Sequence, residues 1–140
     1  MIRSLQSKDM NCIMDIWLRS NIQAHSFIPK QYWLDHFDYA RAGISSAEVF
    51  VYEDNGRIIG FIGLNGDCLE GIFVSKECRS LGIGTKLLDF VKKRRSRLTL
   101  NVYCKNTSAV RFYEKNGFKV RKRISSDVSE EYLMIWEKEI

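Results

Sequence analysis

One proline in 140 residues (Pro29), only two histidines (His25 and His36) and no apolar stretch near the ~20 residues that cross a bilayer: these shortages exclude several classes of protein. A single proline leaves no Pro-rich linker. No repeat or low-complexity tract divides the chain either, so one domain over residues 1–140 is expected, long enough to bury a substantial core. The four cysteines (Cys12, Cys68, Cys78 and Cys104) form no Cys-x-x-Cys pair, and no histidine pair stands near them. That argues against a zinc site and a disulfide framework; no metal is expected and the thiols should be reduced. The opening MIRSLQSKDM lacks the apolar core of a signal peptide, so a cytoplasmic location is expected, with no membrane partner. What the chain has in excess is positive charge. A net charge of +5 suits polyanions, which include both nucleic acids and phosphorylated cofactors.

The most informative stretch is Leu69–Phe90, LEGIFVSKECRSLGIGTKLLDF. Leu69–Val74 reads as a short apolar strand with one carboxylate, Glu70, set inside it. Gly82-Ile83-Gly84 then opens a run with helical apolar spacing at Leu87, Leu88 and Val91. A strand, a glycine turn and a helix start make a seat for a pyrophosphate. The first N–H groups of a helix lack partners, its dipole is positive there, and glycines let an anion approach the backbone. Arg79 adds a charge-assisted donor. The spacing fits neither a P-loop, which needs Gly-x4-Gly-Lys-Ser/Thr, nor a dinucleotide fingerprint, whose third glycine would fall on Leu87.

Around this stretch the chain alternates between the two regular periods. Ile2–Leu5 reads as a strand, followed by a helix capped by Ser7 or Asp9 and running to about Ser20. Asn21–Phe27 reads as a polar connection, and Pro29 starts a second helix to about Arg41. Glu48–Glu53 and Arg57–Asn65 form a hairpin across Asp54-Asn55-Gly56, and Leu69–Val74 follows as the third strand. The glycine-turn helix extends to about Arg95. After it come a strand (Leu98–Tyr103), a helix from Asn106 to Asn116-Gly117, and two last strands, Phe118–Arg123 and Glu131–Lys138. The order β-α-α-β-β-β-α-β-α-β-β predicts an α+β fold. It has a mostly antiparallel sheet of six or seven strands, about four helices and one β-α-β crossover at its centre.

Two separated motifs, LEGIFVSKECRSLGIGTKLL and NVYCKNTSAVRFYEKNGF, resemble the GNAT superfamily of acyl-CoA-dependent N-acyltransferases. The first resembles that family's pyrophosphate loop, the second its later strand and the Asn-x-x-Ala-x-x-x-Tyr-x-x-x-Gly-Phe helix. The likeness follows the element order over the whole chain and is weakest in residues 20–47 and 124–131, where the family builds its acceptor side. The opening, with Ala24-His25-Ser26-Phe27-Ile28 and the aromatic second helix, is similar to the YiaC and YjaB type of small bacterial acetyltransferase, some of which acetylate protein lysines. The resemblance implies acetyl-CoA as cosubstrate and direct transfer to a primary amine, such as a protein lysine or an N-terminal amine. Backbone groups of Ile72, Phe73 and Val74 would pair with the pantetheine arm. The N–H groups of Leu81, Gly82, Ile83, Gly84 and Thr85, with Arg79, would hold the pyrophosphate. Tyr113 matches the family tyrosine facing the CoA sulfur and is the candidate general acid.

Other residues keep two readings. Asn106 either contacts the cofactor arm or only caps its helix. Glu70 either acts as the base, directly or through a water, in a desolvated strand, or faces solvent. His25 is the other candidate base, in the loop where acceptor amines approach, against a plain surface histidine. His36 and Phe112 read as structural, and Cys104 lacks the orienting partner a nucleophile needs. The run Lys92–Arg97 reads as cations at a helix end, some 15 Å from the phosphate turn. No nucleic-acid motif accompanies it, so no nucleic-acid partner is expected. The competing classes are a catalytically silent CoA-binding module and a nucleic-acid-binding protein. The expected partners are acetyl-CoA and an amine acceptor, small molecule or protein, and the chain is read as a monomer or a homodimer paired through edge strands.

Overall fold

In a computed structural model, which describes residues 1–139, seven strands form one sheet in the order β1-β2-β3-β4-β5-β7-β6. The strands are β1 (Ile2–Ser4), β2 (Glu48–Asp54), β3 (Arg57–Asn65), β4 (Cys68–Val74), β5 (Arg97–Tyr103), β6 (Lys119–Ser125) and β7 (Glu130–Glu137). The helices are α1 (Met10–Ala24), α2 (Lys30–Asp35), α3 (Phe37–Ser46), α4 (Ile83–Lys92) and α5 (Thr107–Lys115). Every strand pairing is antiparallel except β4 with β5, which the α4 crossover makes parallel. The fold is the expected α+β arrangement.

Strand alternation builds two cores, one on each face. Ile62 and Leu64 of β3 join Ile83, Leu87 and Leu88 of α4 and Tyr113 of α5. Phe61, one residue away in β3, joins Val49 and Val51 of β2 and Ile13 and Trp17 of α1. β3 is therefore buried on both sides, as its unbroken apolar run requires. The hairpin between β2 and β3 turns at Asn55 and Gly56 (φ 51° and 76°), the positive-φ pair that an Asp-Asn-Gly sequence supplies.

Three helix boundaries differ from the sequence expectation. α1 continues through Asn21 to Ala24, because the Asn21 side chain donates to the Trp17 carbonyl (2.9 Å) and adds to the helix instead of leaving it. The second expected helix divides at His36 (φ −96°, ψ 2°), whose Nδ1 lies 2.7 Å from the Tyr32 carbonyl. α4 stops at Lys92, short of Arg95. The basic run beyond has partners within the chain. Lys92 donates to the Asn116 carbonyl, the Arg94 guanidinium stacks on Phe90 at 3.5 Å, and Arg95 pairs with Glu48.

Candidate active site

The site begins with one extra residue in β4. Leu69 faces Leu64 and Gly71 faces Gly63 across the ladder with β3, so Glu70 between them has no partner and forms a β-bulge. A bulge bends its strand. On the other side, among the described residues, β4 pairs with β5 in register only at Cys68 with Thr99, where the Thr99 N–H also donates to the Asp67 carbonyl (2.9 Å). From Gly71 to Val74 that edge has no neighbour, so alternate N–H and C=O groups point into a gap.

The gap widens into a groove of about 570 Å³ bounded by Ile72, Phe73 and Val74 on β4 and by Asn106 and Tyr113 of α5. Ser20, Asn21 and His25, at the end of α1, close its third side; their place depends on the added turn of α1. At the groove mouth Gly82 precedes α4 in a left-handed conformation (φ 80°) with nothing within 4 Å of a Cβ built on it. The first N–H groups of α4 thus open onto free space. A Cβ on Gly84 would stand 3.4 Å from the Phe112 ring, so the helix start sits close against α5. Arg79 spans the mouth, donating to the Val74 carbonyl (3.3 Å) and to Ser20 Oγ (3.4 Å). Leu81 is exposed, Thr85 half-buried, and the Ile83 side chain belongs to the core, so Ile83 offers the groove only its backbone.

Tyr113 is 7% exposed, with its ring edge-on to Phe112 and Phe118 (5.4 Å each). Burial pushes its phenol well above the ordinary value of 10, so at neutral pH it is a proton donor. Among the described residues no hydrogen bond reaches its hydroxyl and burial alone shifts its pKa, which leaves it open to a group in the groove.

For two residues the structure decides between the surroundings left open by the sequence. His25 does stand in the connection between α1 and α2, at its first position, but it is no surface histidine: it is 9% exposed, stacked on Trp33 (5.2 Å), and burial lowers its pKa. Its Nε2 lies 3.2 Å from Asn106 Nδ2. Glu70 is not desolvated. It is exposed at the bulge, where Asn65 Nδ2 donates to its carboxylate (2.8 Å), and it lies outside the first groove. It borders a second groove of about 490 Å³ with the apolar Trp17, Ile44, Val49 and Phe73. Phe73 alone lines both grooves; its ring stacks on Phe61 (5.0 Å) and covers Gly71, where a Cβ would meet it at 2.6 Å. Phe112 is the groove residue that sequence reasoning set aside as packing. Its place three residues after Ala109 on the α5 face that carries Asn106 was the available signal.

A splayed parallel pair, a glycine-started helix and a buried tyrosine facing the split define an acyl-CoA-binding transferase. Residues 45–120 match the model of the Acetyltransferase (GNAT) domain, more than half of the chain. The chain is 35% identical over 122 residues to "Peptidyl-lysine N-acetyltransferase YiaC" of Escherichia coli (strain K12), covering 86% of this chain and 84% of that one. It is 30% identical over 127 residues to "Peptidyl-lysine N-acetyltransferase YjaB" of the same organism, covering 90% and 86%. The solution structure of apo YjaB from Escherichia coli superposes with a TM-score of 0.87 at 26% identity, over 99% of this chain and 98% of that one. The PaiA N-acetyltransferase from Thermoplasma acidophilum, solved with coenzyme A, has the same fold (TM-score 0.82, 20% identity, 98% of each chain). This chain belongs to the GNAT acetyltransferase family: it is an N-acetyltransferase whose cosubstrate is acetyl-CoA.

Proposed function

We propose that this enzyme acetylates the ε-amine of lysine in a protein or peptide, and that the two grooves divide cosubstrate from acceptor. The observation that carries this is the unpaired Gly71–Val74 edge of β4, with the free Tyr113 hydroxyl facing the same groove. An amide-bearing arm fits that edge as an added strand, pairing with backbone groups of Ile72, Phe73 and Val74. A pyrophosphate fits the N–H groups of residues 81–85, with Arg79 as the cation at the mouth.

Acetyl-CoA supplies a thioester that is already activated, so no covalent enzyme nucleophile is required. The Tyr113 hydroxyl gives a proton to the departing sulfur. Glu70 takes the proton that the lysine ammonium must lose, through a water at the exposed bulge. The second groove, apolar along Trp17, Ile44 and Val49 and ending at a carboxylate, suits a four-carbon stem with a cationic head. Peptidyl-lysine transfer by YiaC and YjaB, as those relatives are named, supports the same acceptor. Four cysteines without disulfides suit a reducing compartment, as in the cytoplasm.

The test is acetyl transfer to lysine-containing peptides, read by mass spectrometry, with Glu70→Gln beside wild type. Acetylated lysine is expected, with kcat lowered about 100-fold in the variant and the KM for acetyl-CoA unchanged. Transfer to small polyamines but to no peptide would overturn the acceptor assignment. Binding of acetyl-CoA with no transfer to any amine would mark a silent module.

A further inference from the structure

Both ring nitrogens of His25 are engaged, and the partners decide which carries the proton. Nδ1 lies 3.1 Å from the Asn21 carbonyl, which only accepts, so the proton is on Nδ1. Nε2 is then an acceptor, and Asn106 Nδ2 donates to it at 3.2 Å. The other end of the same amide, Asn106 Oδ1, accepts the Ala109 N–H (3.3 Å) and caps α5. Asn106 is held from both ends, and α5 carries Tyr113 seven residues on.

We propose that His25 is a positioning residue: a neutral imidazole that locks Asn106, and through it the start of the helix that aims Tyr113 into the cofactor groove. The inference rests on the reading of Tyr113 as the acid. It ties the end of α1, beside the acceptor-side helices, to the cofactor side of the molecule by one side-chain hydrogen bond spanning 81 residues of sequence.

Protonation would undo the lock. An N–H on Nε2 would face the Asn106 NH₂, donor against donor. Turning the amide to offer Oδ1 instead would strip the cap from Ala109. The surroundings favour the neutral ring. Trp33 of α2 stacks on it, Phe27 and Tyr103 of β5 meet it edge-on (5.7 and 5.0 Å), and Tyr32 stands beside Trp33. The nearby cation is Lys105, whose Nζ lies over Phe27, and among the described residues no carboxylate acts on the ring. Burial accordingly lowers its pKa below the ordinary 6.5.

The experiment compares kcat, the KM for acetyl-CoA and their pH profiles for wild type, His25→Phe and His25→Gln, with thermal unfolding of each. His25→Phe keeps an aromatic ring on Trp33 but cannot accept a hydrogen bond; about a tenfold loss of kcat is expected. His25→Gln, whose Oε1 can accept from Asn106, should restore most of it and lack the acid limb that wild type owes to His25. In a double-mutant cycle His25→Phe should cost nothing further once Asn106 is Ala. Nitrogen NMR of the wild-type ring, which needs no variant to fold, should show the Nδ1–H tautomer at neutral pH. The opposite tautomer, or additive losses in the cycle, would overturn the lock. So would a loss of kcat equal in Gln and Phe variants and recovered at high pH, because that marks a general base. If Tyr113 is not the acid, Tyr113→Phe retains activity while tautomer and cycle still report on the lock, so the two failures are separable.

Discussion

Replacing Tyr113 with Phe removes one hydroxyl and almost nothing else. The ring remains edge-on to Phe112 and Phe118, and the hydroxyl has no partner among the described residues to be orphaned by its loss. The hydroxyl faces the groove and keeps no bond within the chain, so its removal should leave stability close to that of wild type. Any change is at most about 1 kcal/mol in either direction. That corresponds to a melting temperature within about 4 °C of wild type. Catalysis should change far more. General-acid removal typically costs ~10²–10⁴ in rate. A thiolate, with a parent thiol near pKa ~8.5, needs less help than an alkoxide, so the low end applies: about 100-fold in kcat, or roughly 2.7 kcal/mol. The KM for acetyl-CoA should hold. Thiol release at saturating peptide and acetyl-CoA measures kcat, and differential scanning measures stability. A kcat within twofold of wild type would refute Tyr113 as the acid. A melting temperature more than about 4 °C lower would refute the claim that its hydroxyl holds nothing inside the chain.

The remaining predictions concern the phosphate seat and the first strand. Gly82→Glu forces a side chain into a left-handed conformation (φ 80°), at a backbone cost of about 1–2 kcal/mol, and sets a negative charge at the α4 start. Calorimetric titration should show acetyl-CoA binding weakened at least about 100-fold in a folded protein, and unchanged affinity would move the pyrophosphate elsewhere. Asp9, 5% exposed, receives Arg3 at 2.7 Å while the same guanidinium reaches Glu53 at 3.2 Å. The hydrogen bond from Arg3 leads in lowering the Asp9 pKa below 3.8. Its stabilising contribution is therefore complete above 3.8 and is lost as pH falls through the folded-state value. Asp9→Asn should cost about 2 kcal/mol in denaturant unfolding at pH 7, with the gap to wild type closing in acid; a gap that persists there would refute the linkage.

Much of this architecture was legible because local chemistry and tertiary structure agree. Asp54-Asn55-Gly56 could only turn a hairpin, Gly82-Ile83-Gly84 could only start a helix at a turn, and Asn106 does cap α5 through the Ala109 N–H. The end of α1 was not legible. Asn21 read as a loop residue because it is polar, yet it bonds a carbonyl one turn back within α1; His25 does stand past the helix end, but it too bonds a carbonyl one turn back and is buried. A polar residue satisfied by its own helix looks, in sequence, like one leaving it. The break at His36 was hidden for the same reason.

Glu70 was hidden by a different kind of ignorance: a bulge exists only relative to its partner strand. Between the pairs Gly60 with Val74 and Asn65 with Cys68, β3 advances five residues and β4 six. A strict period of two counted from Leu69, which packs against α4, would put Gly71 and Phe73 on that same face and turn Ile72 and Val74 toward α1. The observed assignment is the reverse: Ile72 and Val74 pack with the α4 core, and Phe73 packs with the α1 core. The extra residue therefore does three things at once. It bends β4 away from β5 and leaves unpaired the edge to which the proposed cofactor arm would add. It places Phe73 where it lines both grooves, and it projects Glu70 from the kink at the end of the second. The candidate base and the cofactor gap are consequences of the same insertion, which is why neither could be read from β4 alone.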